Sequence, residues 1–161
     1  MGRVKRTPHP LATSPQPEDL MPQHPVAPLP APRVLTQPMA MELLTPDAAV
    51  PIETTISYTS RDPHALSIVF HLLGDAPVVW RVDREMVITG SLTPTGAGEV
   101  HLRPGPDGGL LLRLGPAGHC AMVRCDQDGL ARLVRDTFVL VPQGTEERHI
   151  DWQPLLTSLR R

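Results

Sequence analysis

Glu146, His149 and Asp151 are the residues whose types and closeness most suggest chemistry: an acid, a base and a carboxylate to orient it. They fall in Val141-Pro142-Gln143-Gly144-Thr145-Glu146-Glu147-Arg148-His149-Ile150-Asp151, a polar, turn-forming stretch charged with both signs and flanked by apolar segments. No nucleophile is prepared for them. Ser57, Ser60, Ser67, Ser91 and Ser158 lack activating neighbours, and no Gly-x-Ser-x-Gly elbow occurs. The same residues fit a structural part better. Asp151 is expected to cap a last short helix, Glu146 or Glu147 to pair with Arg148, and His149 to pack at a sheet edge. The stretch reads as a clamp, and no catalytic residue is assigned.

Metal and phosphate chemistry find no better footing. His64, His71, His101, His119 and His149 form no His-x-His or His-Glu-x-x-His pair, and there is no Cys-x-x-Cys. A metal site would need ligands converging from three strands, so no metal or cofactor ligand is assigned. His71, His101 and His119 are placed on a solvated or subunit-facing side of a sheet. Thr95-Gly96-Ala97-Gly98 is glycine-rich but precedes a strand and has no Lys-Ser/Thr after it, which makes it a turn rather than a phosphate loop. Cys120 and Cys125, on one expected strand, point to opposite faces and cannot pair. Both are read as buried small apolar side chains.

The elements that must position these residues occupy only part of the chain. Its 161 residues suit one domain, but the 20 prolines crowd toward the N-terminus. Residues 1–33 read as a disordered or polyproline-like extension, because so proline-rich a segment cannot bury enough apolar surface to offset its ordering entropy. The folded domain is expected over 34–161. Met39 or Met41 is an alternative start, which would remove the extension altogether. Arg3, Lys5 and Arg6 are followed by no apolar run of signal length, and no span of about 20 apolar residues occurs. A cytoplasmic protein without membrane insertion is expected. From Met39 onward, 11 Arg stand against 15 Asp plus Glu, a balance of 11 − 15 = −4. An acidic surface repels phosphate. The few aromatics, Tyr58, Phe70, Trp80, Phe138 and Trp152, make a poor stacking platform for single strands.

Within the domain, the pattern predicts a strand from Val34 through Leu44 and another over Ile52–Tyr58. Ala65–Leu73 alternates, with Leu66, Ile68, Phe70 and Leu72 on one face. A hairpin partner carries Val78, Trp80 and Val82 inward. Asp83 is placed to cap a helix over Arg84–Thr89 that Gly90 terminates. Three more strands are expected at Glu99–Arg103, Leu110–Leu114 and His119–Arg124. Leu130, Leu133, Val134 and Phe138 then share one face of the main helix, capped by Asp126 or Asp128, with Arg132, Arg135 and Asp136 facing water. The result is an α+β domain: an antiparallel sheet of about seven strands, one main helix placed late and short helices.

Four segments in order carry a resemblance: Asp62-Pro63-His64-Ala65; Trp80 followed by Arg84-Glu85 and Gly90; Pro94-Thr95-Gly96-Ala97-Gly98-Glu99-Val100; and Val141 through Asp151. From Val34 to the C-terminus the chain resembles the SsgA-like proteins, actinomycete regulators of sporulation and cell division. It departs from their pattern at Arg81-Val82-Asp83, at Gly90-Ser91-Leu92 and at Trp152-Gln153. The resemblance implies a non-enzymatic, cytoplasmic protein working at the septum in septation or spore-wall control. It also implies a whirly-like half-barrel assembled as a homotrimer. The partners it implies are cell-division proteins such as the tubulin-like FtsZ or a paralogous SsgA-like protein. A whirly-like single-stranded nucleic-acid-binding protein is the alternative, with salt-sensitive binding as its mark.

Overall fold

The computed structural model describes residues 27–160. The expectation of a disordered tail therefore lies largely outside the described residues. Eight strands form one antiparallel sheet, and the chain lays it down as two similar halves. β1 (Val34–Leu44), β2 (Ala49–Thr59), β3 (Ala65–His71) and β4 (Val78–Asp83) run into α1 (Arg84–Leu92). β5 (Thr95–Ala97), β6 (Val100–Pro104), β7 (Gly109–Leu114) and β8 (Ala121–Asp126) run into α2 (Gln127–Leu140). The order across the sheet is β4-β3-β2-β1-β8-β7-β6-β5, so each half is a meander and β1 meets β8 at the join. A 3-10 helix over Glu146–His149 and α3 (Gln153–Leu159) complete the chain.

The join explains the curl. β1 pairs with β2 from Val34↔Thr59 to Leu44↔Ala49, but with β8 only from Met41↔Cys125 to Leu44↔Met122. Pro38 sits in the part of β1 with one neighbour, where a missing N–H need not break a ladder. The sheet wraps as a half-barrel, and α1 and α2 touch each other across its inner face. Met41, Ile56, Leu66, Ile68, Leu102, Leu110, Leu112, Val123, Leu130 and Leu133 belong to one buried cluster drawn from both halves and from α2.

α1 and α2 each start where a strand ends in aspartate. Asp83 Oδ1 accepts from Glu85 N at 2.7 Å and Met86 N at 3.1 Å, and Asp126 Oδ2 accepts from Gly129 N at 2.8 Å. An extended residue whose carboxylate takes the free first-turn N–H groups converts strand into helix within one step.

Several expectations are corrected. There are eight strands rather than about seven, because Thr95–Ala97 of the glycine-rich stretch pairs with Val100–Leu102 as β5. The turn itself is confined to Gly98 and Glu99, with Gly98 at φ 58°. Gly90 does not end α1, which continues to Leu92. A Cβ at Gly90 would lie 2.5 Å from Leu102 Cβ, so the glycine serves close helix–sheet approach instead. On β4 only Val82 is buried, while Trp80 is half-buried and Val78 exposed. As the edge strand, β4 has core on one side only toward its end. Leu72 falls beyond β3 and is exposed. Cys125 is buried in β8, but Cys120 precedes that strand and is exposed.

Candidate functional site

The Val141–Asp151 stretch is organised by a residue far from it in sequence. Arg84, the first residue of α1, is fully buried, and Glu146 is 6% exposed. Arg84 Nη2 donates to Glu146 Oε1 at 2.7 Å. Arg84 Nη1 donates to Val141 O at 2.9 Å, to Tyr58 Oη at 3.1 Å and to Thr137 O at 3.2 Å. The guanidinium lies 4.0 Å from the centroid of the Phe138 ring, a cation–π contact in a dry site. Tyr58 Oη in turn donates a hydrogen bond to Pro63 O at 3.1 Å. One side chain thus joins β2, α1, the C-terminal end of α2 and the 3-10 helix. Its positive charge sits where the α2 carbonyls leave partial negative charge.

Burial pushes the Glu146 carboxyl up. Its own backbone N–H, the Arg84 guanidinium and the Gly144 N–H together outweigh that and hold it below the usual carboxylate range. Burial pushes the Tyr58 hydroxyl up, against the pull of Arg84 and with the help of Glu146. Gly144, at φ 81°, makes the turn that aims the loop inward. Thr145 ties that turn to Pro142 O through N at 3.0 Å and Oγ1 at 2.7 Å. Gln143 reaches Glu85 across the surface at 3.2 Å.

Among the described residues no hydrogen bond links Glu146, His149 and Asp151 as acid, base and orienter. Glu146 pairs with Arg84, and among the described residues neither it nor Glu147 forms the ion pair with Arg148 that the sequence suggested for one of the two. His149 is half-buried. Asp151 is exposed, and its Oδ1 accepts from Gln153 N at 3.0 Å, one residue ahead of the assigned cap position Trp152. His71 is exposed and bonded to Thr55 Oγ1 at 2.9 Å, His119 is exposed, and His101 lies against Arg113. Among the described residues no group of three or more His, Cys, Asp or Glu converges as a metal would require. No helix among them is long and apolar enough to cross a membrane.

What the clamp holds out is α3, none of whose residues is buried. Trp152, Leu155, Leu156 and Leu159 recur at i, i+3, i+4 and i+7 and are all exposed. That spacing was present in the sequence and is the signal for an apolar face without a partner.

The family model described as the Streptomyces sporulation and cell division protein SsgA matches residues 52–146, a span running through Tyr58, Arg84 and Thr137 to Glu146. The chain belongs to this family. It is 34% identical over 120 residues to the sporulation-specific cell division protein SsgB of Kineococcus radiotolerans, covering 71% of this chain and 72% of that one. With SsgB of Salinispora tropica it is 33% identical over 118 residues, 70% of this chain and 82% of the relative. The solved SsgA-like sporulation-specific cell division protein of Thermobifida fusca superposes with a TM-score of 0.70 at 29% identity, covering 79% of this chain and 96% of that chain. In this chain the clamp closes at Glu146, the last residue of the family match.

Proposed function

We propose that this SsgA-family chain acts in sporulation cell division as a non-enzymatic adaptor, assembled as a homotrimer and working at the septum through protein contacts. The relatives' names support the process: each is a sporulation-specific cell division protein. The observation that carries the mode of action is α3, an apolar helix face that follows the buried clamp in the chain and is covered by nothing among the described residues. A second copy of this chain is the occupant assigned to it. FtsZ or a paralogous SsgA-like protein is the partner assigned to the assembly.

Two measurements test this. Light scattering of the purified full chain at micromolar concentration should give three times the chain mass, and a strict monomer counts against the trimer. Deletion in a sporulating host should disturb sporulation septa, with FtsZ or a paralogue co-purifying from wild-type cells. Normal septation and no such co-purification would sink the adaptor reading.

A further inference from the structure

The sheet face turned away from α1 and α2 carries a second feature. Along β6 and β7, Leu102, Leu110, Leu112 and Leu114 point to the core, so His101, Arg103, Leu111 and Arg113 point the other way. The register sets His101 opposite Arg113, Arg103 opposite Leu111, and Arg113 opposite Met122 of β8. Arg103, Arg113, His101, Leu111 and Met122, with Gly96 at the edge, line a cleft of about 570 Å³.

Its charges are arranged unlike those around it. Arg124, on the same face, is neutralised by Glu42, with Nε to Oε2 at 2.7 Å. Arg103 and Arg113 have no carboxylate partner among the described residues. Arg113 Nη2 donates to His101 Nδ1 at 2.6 Å, and its Nη1 has only Gly115 O, at 3.5 Å. The two arginines are diagonal cross-strand neighbours, about 7–8 Å apart at the backbone, where like charges oppose each other. Between them Leu111 is only 6% exposed although it lies outside the main core cluster. A Cβ at Gly96 would meet the His101 ring at 2.3 Å, so the bare backbone of β5 is what lets the imidazole seat against Arg113. An acidic chain that leaves two guanidinium groups unneutralised around an apolar floor has a site complementary to negative charge with an apolar centre.

We propose that this cleft binds an acidic peptide segment, with Arg103 and Arg113 taking its carboxylates and Leu111 and Met122 receiving an apolar side chain between them. Guanidinium groups match carboxylates in paired, charge-assisted hydrogen bonds. A single strand of nucleic acid fits less well, because the lining holds no Phe, Tyr or Trp on which bases would stack. The inference stands apart from self-association, which rests on α3.

The probe is a fluorescein-labelled acidic peptide with one leucine between two aspartates, titrated against the full chain by anisotropy. Its Asn-for-Asp counterpart and an oligothymidylate are run beside it. The acidic probe should bind saturably, and about 10-fold or more tighter than the Asn peptide. Arg103→Gln with Arg113→Gln should remove that preference with the melting temperature unchanged. If that pair destabilises the fold, Met122→Glu, which puts a carboxylate at the floor, should weaken the acidic probe by a similar factor. Equal affinity for the two peptides, no loss in either variant, or tighter binding of the oligothymidylate through the same arginines overturns the proposal.

Discussion

Arg84 and Glu146 form a buried ion pair, 2.7 Å from Nη2 to Oε1, between residues 62 apart in sequence. It joins the first helical residue after β4 to the loop after α2, and so fixes where α3 begins. Removing one partner strands the other charge in a dry site, at a cost of about 3–5 kcal/mol. Arg84→Met and Glu146→Leu should each lower the urea midpoint accordingly. The double variant should recover much of the loss, because two apolar side chains leave no orphan charge. It also removes Arg84 Nε, which is buried without an acceptor. Additive losses in the double variant would show that the two residues act separately.

The same pair sets an acid limit. Glu146 is held below its unfolded value by backbone donors and by Arg84, against the effect of burial. Its contribution to stability is therefore complete above the unfolded carboxyl pKa of about 4.3. It is lost as pH falls through the lower folded value. Stability followed by denaturant melts should hold a plateau from neutral pH toward that point and then fall. In Glu146→Gln the fall should be shallower and the plateau lower.

Local signals were legible, distant ones were not. Asp83 announced the start of α1 and the Asp126/Asp128 pair that of α2, and Leu66, Ile68 and Phe70 announced a core face, because caps and period-2 alternation are written in neighbouring residues. Glu146 offered Arg148 as the near partner, and only tertiary structure brings Arg84 instead. Gly90 offered a stop signal, and β5 a glycine-rich turn. Both were overridden by contact with β6, through Leu102 and through the Thr95↔Leu102 pairing. The cleft depended on which strands adjoin, so Arg103 and Arg113 gave no sign of sharing it.

Gly90→Ala tests that override. The added methyl would lie 2.5 Å from Leu102 Cβ and 3.3 Å from Thr95 Cγ2. Alanine favours a helix over glycine by about 1 kcal/mol, yet overpacking costs about 1–3 kcal/mol. A net loss of stability is expected in urea melts. A stabilised variant would mean that α1 can lift from β6 freely.

The two thiols should separate by reactivity. Burial, with a further push from Asp126, raises the Cys125 thiol to about 12, while Cys120 is exposed. Since the thiolate is the reactive form, iodoacetamide at neutral pH should label Cys120 alone in the folded protein and both in urea. Peptide mapping by mass spectrometry reads this directly, and early labelling of Cys125 would show that β8 opens at the join with β1.

Surface and fold should also come apart at α3. Leu155 and Leu159 are exposed and belong to a helix with no buried residue, so charge there removes no packing within the chain. Leu155→Glu with Leu159→Glu should leave the urea midpoint of the dissociated chain within about 0.5 kcal/mol of the parent's. The mass in light scattering should nevertheless fall to that of one chain, because a carboxylate in an apolar contact goes unpaired and desolvated. Arg84→Met should do the opposite, lowering stability first and losing assembly only as the clamp opens. If the Glu variants keep the parent's mass, the copies meet elsewhere and the α3 face serves a different partner.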